Sequence, residues 1–359
     1  MKDRVGAIYW WVRNHVSMVA FVTGFVWDTL TLKRIDLVYE NVVFVSYLLI
    51  AFVGIVLIHS IETHRWTPRV LVRMRAWLPA LIQFPLGGLF SGFVIFYTKS
   101  GSLFTSWPFM AILLALFVGN EFFHKRYERL VFQMSVFYFA LLTYLVLVTP
   151  AVLHTISTAT FVFAGLISLI AILLLSQLIR YLFPKLYRQG ARSLWVMIGL
   201  IYIGFNALYF SNIIPPVPLA LKEIGVYHSV TRIESGYEVT YQSPVWYEFW
   251  RSTSGVFRRS PGEAVYCFSS VFAPTELKTN IYHSWQRKVS GGVWKREERI
   301  PFSIEGGRDG GYRGFTLKEQ LTDGPWRCVV ETENGQIIGQ VRFNIIDVDQ
   351  QVPLEQTLR

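Results

Sequence analysis

Two cysteines in 359 residues are too few for a disulfide-dense scaffold or a four-thiolate metal centre. Charge is scarce as well: Asp, Glu, Lys and Arg make up 16% of the chain against 52% hydrophobic residues. An ordinary soluble domain carries about a quarter charged residues. Acidic residues are nearly missing from the first 213 positions, with 7 Asp+Glu against 17 Lys+Arg. The opening MKDRVGAIYWWVRNH has no short apolar core followed by a small-residue cleavage site, so the first apolar run is expected to stay as an anchor. No Gly-Lys-Ser/Thr closes a phosphate loop, and no GxGxxG follows a strand. The histidines fare no better: His59 and His64 beside Glu62 lack the spacing of a metal pair on one helical face. Neither a cofactor nor a metal site is expected, and no Ser–His–Asp pattern is visible.

What the first 213 residues do have is long apolar runs. Seven are expected to cross a membrane, at 10–31, 39–61, 76–98, 103–123, 129–150, 155–179 and 193–213, since a helix needs about 20 residues for the hydrocarbon layer. A crossing must satisfy its backbone internally, which predicts an all-α transmembrane bundle over 1–213. The connections on one side hold 14 basic residues, among them Arg65, Arg69, Lys125 and Arg188. The other side offers Lys33, Arg34 and Lys99. Positive charge stays inside, which predicts a cytoplasmic N-terminus and, after an odd number of crossings, a C-terminal domain on the outer face. The formal charge of +10 therefore belongs to topology. It is not a nucleic-acid footprint, and none is expected as partner.

Small residues Gly88 and Gly92 lie four apart in the third run, a spacing that lets helices approach closely. Ionisable groups at membrane depth are costly and are functional candidates by default. Asp28, Arg34, Asp36, Glu40 and Lys99 fall near the outer ends of runs one to three. They either line an outward-facing polar cavity or neutralise one another at the interface.

Residues 214–225, IPPVPLALKEIG, read as a stiff Pro-rich linker. After it the pattern turns to period two, and 226–350 read as a β-sandwich domain with a polar tail at 351–359. Strands are predicted at 236–242, 264–272, 279–287, 300–304, 326–332 and 336–346. Asn334-Gly335 predicts a type I′ hairpin between the last two. Lysines and arginines number 17 from residue 214 onward, and acidic residues also 17. The order Cys267…Trp285…Cys328 has the form of an immunoglobulin-like inter-sheet bridge with a tryptophan packed on it. Two readings stay open, a disulfide and two separate buried thiols. Glu297 and Glu298 in KREER read as a solvated charged edge.

The stretch GGRDGGYRGFT at 306–316 packs five glycines and two arginines into eleven positions. Its glycines suit two tight turns, while Arg308, Tyr312 and Arg313 are the candidate ligand- or partner-binding residues, suited to a planar anion or a sugar ring.

AVYCFSSVFAP, IYHSWQRK, RIPFSIEGGRDGGYRGFT and GPWRCVVETENGQIIGQVRFNI together resemble the bacterial domain of unknown function 2914 over about residues 260–346. GFVWDTLTLKRID, FYTKSGSLFTSWPF and GNEFFHKRYERL are similar to the multi-span part that accompanies this domain in some Gram-negative bacteria. The resemblance implies an architecture, a membrane bundle followed by an extracytoplasmic β domain, and assigns no activity. The chain is expected to be a non-catalytic envelope protein whose β domain binds a protein, glycan or lipid-linked partner. The alternative is a membrane-embedded enzyme or transporter using the outer polar cluster. Membrane lipids are partners in either case.

Overall fold

The computed structural model describes residues 25–26, 28–30, 32, 38–64, 78–100, 103–122, 130–234, 236–248, 251–274, 277–306, 310–349 and 352–359. Contacts divide the chain into a helical unit ending at Ser211 and a C-terminal unit, which takes in Lys99–Ser106 and His154–Ile156 together with Asn212–Arg359.

The helices of the first region are α1 (Val38–Glu62), α2 (Leu78–Ser100), α3 (Leu103–Phe122), α4 (Leu130–Leu153), α5 (Thr158–Leu182) and α6 (Pro184–Phe210). Among the described residues, five helices are long and apolar enough to cross a membrane: α1, α2, α4, α5 and α6. Helix α3 holds an apolar stretch at Ser106–Phe117, and most of the run expected at 10–31 lies outside the described residues. The last connection differs from expectation. A single residue, Phe183, joins α5 to α6, and Lys185, Arg188 and Arg192 sit on the first turns of α6 rather than in a loop. Pro184 explains the early start, because proline at the first helical position loses no intrahelical hydrogen bond and presets φ.

Helix α4 is the most enclosed and packs against α1, α5 and α6. Gly88 and Gly92 of α2 lie under the rings of Tyr47 and Phe44 of α1, where an added methyl group would collide. The small-residue pair is therefore a close helix approach within the chain. Polar side chains stitch the same helices: the Tyr144 hydroxyl donates to Asn41 Oδ1 at 3.0 Å. His59, fully buried, places Nδ1 2.7 Å from Glu62 and Nε2 2.9 Å from Gln133.

Eleven strands follow: β1 (Ala220–Tyr227), β2 (Ser229–Ile233), β3 (Gly236–Tyr241), β4 (Val256–Arg259), β5 (Val265–Phe272), β6 (Lys278–Lys288), β7 (Trp294–Glu305), β8 (Tyr312–Lys318), β9 (Gly324–Thr332), β10 (Ile337–Asp347) and β11 (Glu355–Leu358). They form a three-stranded sheet β1-β5-β8, a five-stranded sheet β4-β10-β9-β6-β7 and a smaller sheet β11-β3-β2. All pairings are antiparallel except β4 with β10.

Side chains alternate across each strand. Val265, Cys267 and Val271 of β5 therefore point one way, and Trp326, Cys328 and Val330 of β9 meet them in shared cores with Trp285, Phe343 and Ile281. Cys267 and Cys328 are joined in a disulfide that ties the three-stranded sheet to the five-stranded one.

Two boundaries and one turn differ from expectation. The stretch read as a linker is part of the β unit, because Ile214, Val217 and Leu219 are buried and β1 begins at Ala220. The prolines stop the preceding helix without freeing the chain that follows. The polar tail is instead β11, antiparallel to β3, with Thr357 opposite Val239. Its pairing is satisfied by backbone hydrogen bonds, which its side-chain pattern does not announce. The hairpin at Asn334-Gly335 forms, but the positive φ lies on Gly335 alone, at +79°. Gly335 N–H donates to Thr332 O and Thr332 N–H to Gln336 O, both at 2.9 Å. That is a four-residue turn closed by a glycine bulge, not a type I′ turn, which needs both central residues at positive φ.

Candidate binding face

The glycine-rich stretch resolves largely into packing. A methyl group on Gly306 would run into the Pro274 carbonyl, and one on Gly314 would meet the Phe302 ring. Gly311 sits at φ +82° against Ser270, whose hydroxyl donates to Gly310 O at 2.7 Å. Arg308 lies outside the described residues. Tyr312 and Arg313 are neighbours on β8 and so face opposite sides of the sheet. Tyr312 packs on the Leu219–Val271 core. Arg313 reaches toward Gly236 and Gly310, and its carbonyl accepts from the Tyr237 hydroxyl. The two do not converge on a single ligand.

Three of the membrane candidates are described. Asp28 lies beside Ser91 and Tyr47. Glu40 is buried in the first turn of α1, where a carboxylate complements the helix dipole. Arg34 and Asp36 lie outside the described residues. Lys99 is exposed in the last turn of α2 and groups with the C-terminal unit.

The β unit holds two buried histidines, His228 and His283. His283 on β6 is enclosed completely, with Nε2 2.8 Å from Ser269 Oγ and Nδ1 3.0 Å from Thr316 Oγ1. Trp285 Nε1 donates to the same Thr316 hydroxyl at 3.2 Å. Burial pushes the imidazole down to about 3, so it stays neutral. The cluster links β5, β6 and β8 and has neither a carboxylate nor access to water, which makes it a structural clasp. Cys267, His283 and Cys328 bring their ligand atoms within 4.8 Å of one another. The bridge consumes both sulfurs, leaving a single imidazole already bonded at each nitrogen. That set does not hold a metal.

His228 places Nδ1 2.6 Å from Glu263 Oε1. Its other nitrogen is 2.6 Å from Gln242 Nε2. The Gln242 amide is oriented by the Arg258 backbone, to whose carbonyl it donates and from whose N–H it accepts. Nε2 is thereby capped and cannot take a substrate proton. Beside this pair, the buried Arg259 bonds Asp347 at 2.8 Å and the Glu263 carbonyl, closing an internal network.

The outer face of the five-stranded sheet is different. Register places Arg342 of β10 opposite Arg327 of β9, Arg327 opposite Gln286 of β6, and Gln286 opposite Arg296 of β7. The next residues on the same face are Gln340, Val329, Ser284 and Arg299, followed by Glu331 and Tyr282. Arg327 is held in place. Its Nε and Nη2 both donate to Gln286 Oε1, at 2.9 and 2.6 Å, and Nη1 donates to Gln340 Oε1 at 3.1 Å. Its plane lies over the Trp294 ring, 4.6 Å from the centroid. Arg342 stands 5.9 Å from the same ring, and Arg299 stacks on Tyr282 at 3.7 Å. Glu331 is the acid in these rows, and it is taken by Arg299 at 2.8 Å and Arg296 at 3.4 Å. Arg327 is thus bonded by neutral amides, not by a carboxylate. Burial and the adjoining Arg342 lower its proton affinity, against a weaker opposing pull from Glu331.

Residues 278–345 match the family described as "Protein of unknown function (DUF2914)". The matched segment runs from β6 into β10 and contains every member of the arginine row. No curated protein matches the chain. Among solved structures, a β-glucosidase from Listeria innocua in complex with gluconolactone aligns at 9% identity and TM-score 0.18, over 34% of this chain and 16% of that one. The chain therefore spans about a sixth of that enzyme's length. The Pseudomonas fluorescens alkylpurine DNA glycosylase AlkC aligns at 10% identity and TM-score 0.22, over 87% of this chain and 99% of that one. Likenesses this low carry no functional argument.

Sequence reasoning missed the arginine face. Arg296, Arg327 and Arg342 belong to three strands, and register alone places them in line. The visible signal was weak: Trp294 and Arg296 alternate along a strand dismissed as a charged edge.

Proposed function

We propose that the chain is a membrane-anchored binding module of a bacterial envelope, with the helices as anchor and the β unit as the part that engages a partner. In this reading the chain spans the inner membrane, begins in the cytoplasm and carries its β unit outside. The disulfide supports that side, because such bonds persist in oxidising compartments. An immunoglobulin-like reading of the sandwich is supported by strand order. A three-stranded sheet faces a sheet whose neighbours β9 and β6 carry Cys328 and the buried Trp285, while β5 carries Cys267.

One observation carries the binding role: a partly buried, rigidly held Arg327 stands opposite Arg342 and has no carboxylate of its own. Like charges directly opposed in a sheet are destabilising, and retaining them makes sense where something negative arrives. Partly covered, aromatic-flanked arginines are also the anchors that dominate interfaces. The test is photo-crosslinking in native membranes from Lys288, which lies on this face opposite Trp294, with Tyr312, packed on the core, as the silent control. A defined adduct from Lys288 supports the module; its absence, with normal expression, overturns it.

A further inference from the structure

The sequence puts Asp28 near the end of its apolar run, but its neighbours put it deeper. It is half-buried beside Ser91 of α2 and Tyr47 of α1. Ser91 lies at the middle of Leu81–Ser100, the membrane-length stretch of α2. At 1.5 Å per residue, that is about 14 Å from either end. Tyr47 lies nine residues inside α1, counted from Val38. Packing agrees with this depth. The Leu32 N–H donates to the Asp28 carbonyl at 2.8 Å, Leu32 rests on Gly92, and the Tyr47 ring rests on Gly88. A carboxyl at the middle of a span is costly, and such groups mark ion sites and pathways.

The charge of Asp28 is not balanced from within. Among the described residues no Lys, Arg or His pairs with it; the side chain that bonds it is Ser91. Glu40 differs, because it sits in the first turn of α1 and has the positive end of that helix dipole. Tyr47 and Ser91 are each more than two turns from a helix end, beyond the reach of either dipole. Ser91 supplies a second, independent sign. Other hydroxyls of these two helices close on the carbonyl one turn back, Ser46 on Val42 and Thr98 on Val94. Ser91, 2% exposed, closes on no carbonyl. Its oxygen is left for whatever Asp28 holds.

We propose that the Asp28 carboxylate and the Ser91 hydroxyl are oxygen ligands of a monovalent alkali cation bound within the helical unit. The site is independent of the reading given to the β unit. One carboxylate balances one positive charge, and carboxylate and hydroxyl oxygens suit hard cations. A calcium ion calls for six or more oxygens. Leu32 and Tyr47 crowd the glycines on either side, which favours a bare ion over a bulky organic one.

The experiment is equilibrium binding of radioactive sodium to the purified full-length protein in a non-ionic detergent, with choline chloride holding ionic strength constant. The wild type should bind sodium saturably. Asp28→Asn should lose the binding, and Ser91→Ala should weaken it about tenfold or more. Both variants should unfold in choline chloride close to the wild-type temperature, which separates lost ligation from lost folding. Glu40→Gln, which removes the carboxyl at the start of α1, should bind as the wild type does. No binding above the choline background, or full binding in Asp28→Asn, would overturn the site. An acid-dependent rise in thermal stability that Asp28→Asn abolishes, without sodium binding, would make the occupant a proton and overturn the cation. The Lys288 crosslink is indifferent to each of these results.

Discussion

Trp285 on β6 stands directly opposite Cys328 on β9, and its indole lies buried in the core that holds the bridge to Cys267. The relationship joins three elements that are far apart in sequence. It also explains why the order of these residues in the sequence is informative: a bridge between two sheets needs a large side chain beside it to fill the layer.

The bridge closes a loop of 61 residues. Chain-entropy arguments give about 4 kcal/mol for a loop of that size. The double variant Cys267→Ala/Cys328→Ala should therefore lower the urea midpoint of β-unit unfolding by an amount corresponding to roughly 2–4 kcal/mol. Wild-type protein, unfolded in urea without reductant, should release no thiol to a colorimetric reagent. Two titratable thiols per chain would contradict the bridge and reopen the question of which compartment holds this domain.

His283 makes a second, pH-dependent prediction. Its folded-state value is about 3, set by burial, against an ordinary value of 6.5. The unfolded chain thus binds a proton that the folded chain refuses. The stability His283 contributes is fully present above about pH 6.5 and falls as pH drops toward 3. At roughly 1.4 kcal/mol per unit the limiting loss is about 5 kcal/mol. His283→Gln keeps an amide able to bond Ser269 and Thr316 but cannot titrate. Urea midpoints measured from pH 7 to pH 4 should fall more steeply for the wild type than for this variant. Parallel curves would show that His283 is not buried neutral.

How much was legible follows from what carries a period. The strands at Val265–Phe272, Lys278–Lys288 and Gly324–Thr332 were found within two residues, because each is a run of β-forming residues buried on both faces over most of its length. Strand β1 hid behind Pro215, Pro216 and Pro218, and β8 behind the glycines that let Phe302 and Ser270 come close. Strand β11 is polar on both faces, and its only instruction is the backbone edge of β3. The apolar helices were legible by length alone, though the turn at Phe183 was not, since Pro184 starts a helix in a stretch too polar to score as a span. The candidate face was the least legible part. Cross-strand rows depend on register, and the offset at Trp285/Gln286 sets which β7 residue faces Gln286.

The glycine-rich stretch separates two kinds of glycine, and the difference can be measured. Gly306 has the Pro274 backbone carbonyl where a Cβ would go, and its own N–H donates to Leu277 O at 2.9 Å. Neither group can step aside without breaking the entry to β6. Gly310 has only the far end of the Arg313 side chain nearby, 3.8 Å from a built Cβ. Gly306→Ala should therefore destabilise the β unit by about 1–3 kcal/mol through overpacking. Gly310→Ala should lie within about 0.5 kcal/mol of wild type, as surface substitutions do. Thermal unfolding of the two single variants in the same detergent decides the matter. If both are neutral, the stretch is not held by packing, and Arg308 and Arg313 regain their claim as a ligand loop. If Gly306 alone is intolerant, close approach accounts for that glycine, and the search for a partner belongs on the sheet face that carries Arg327.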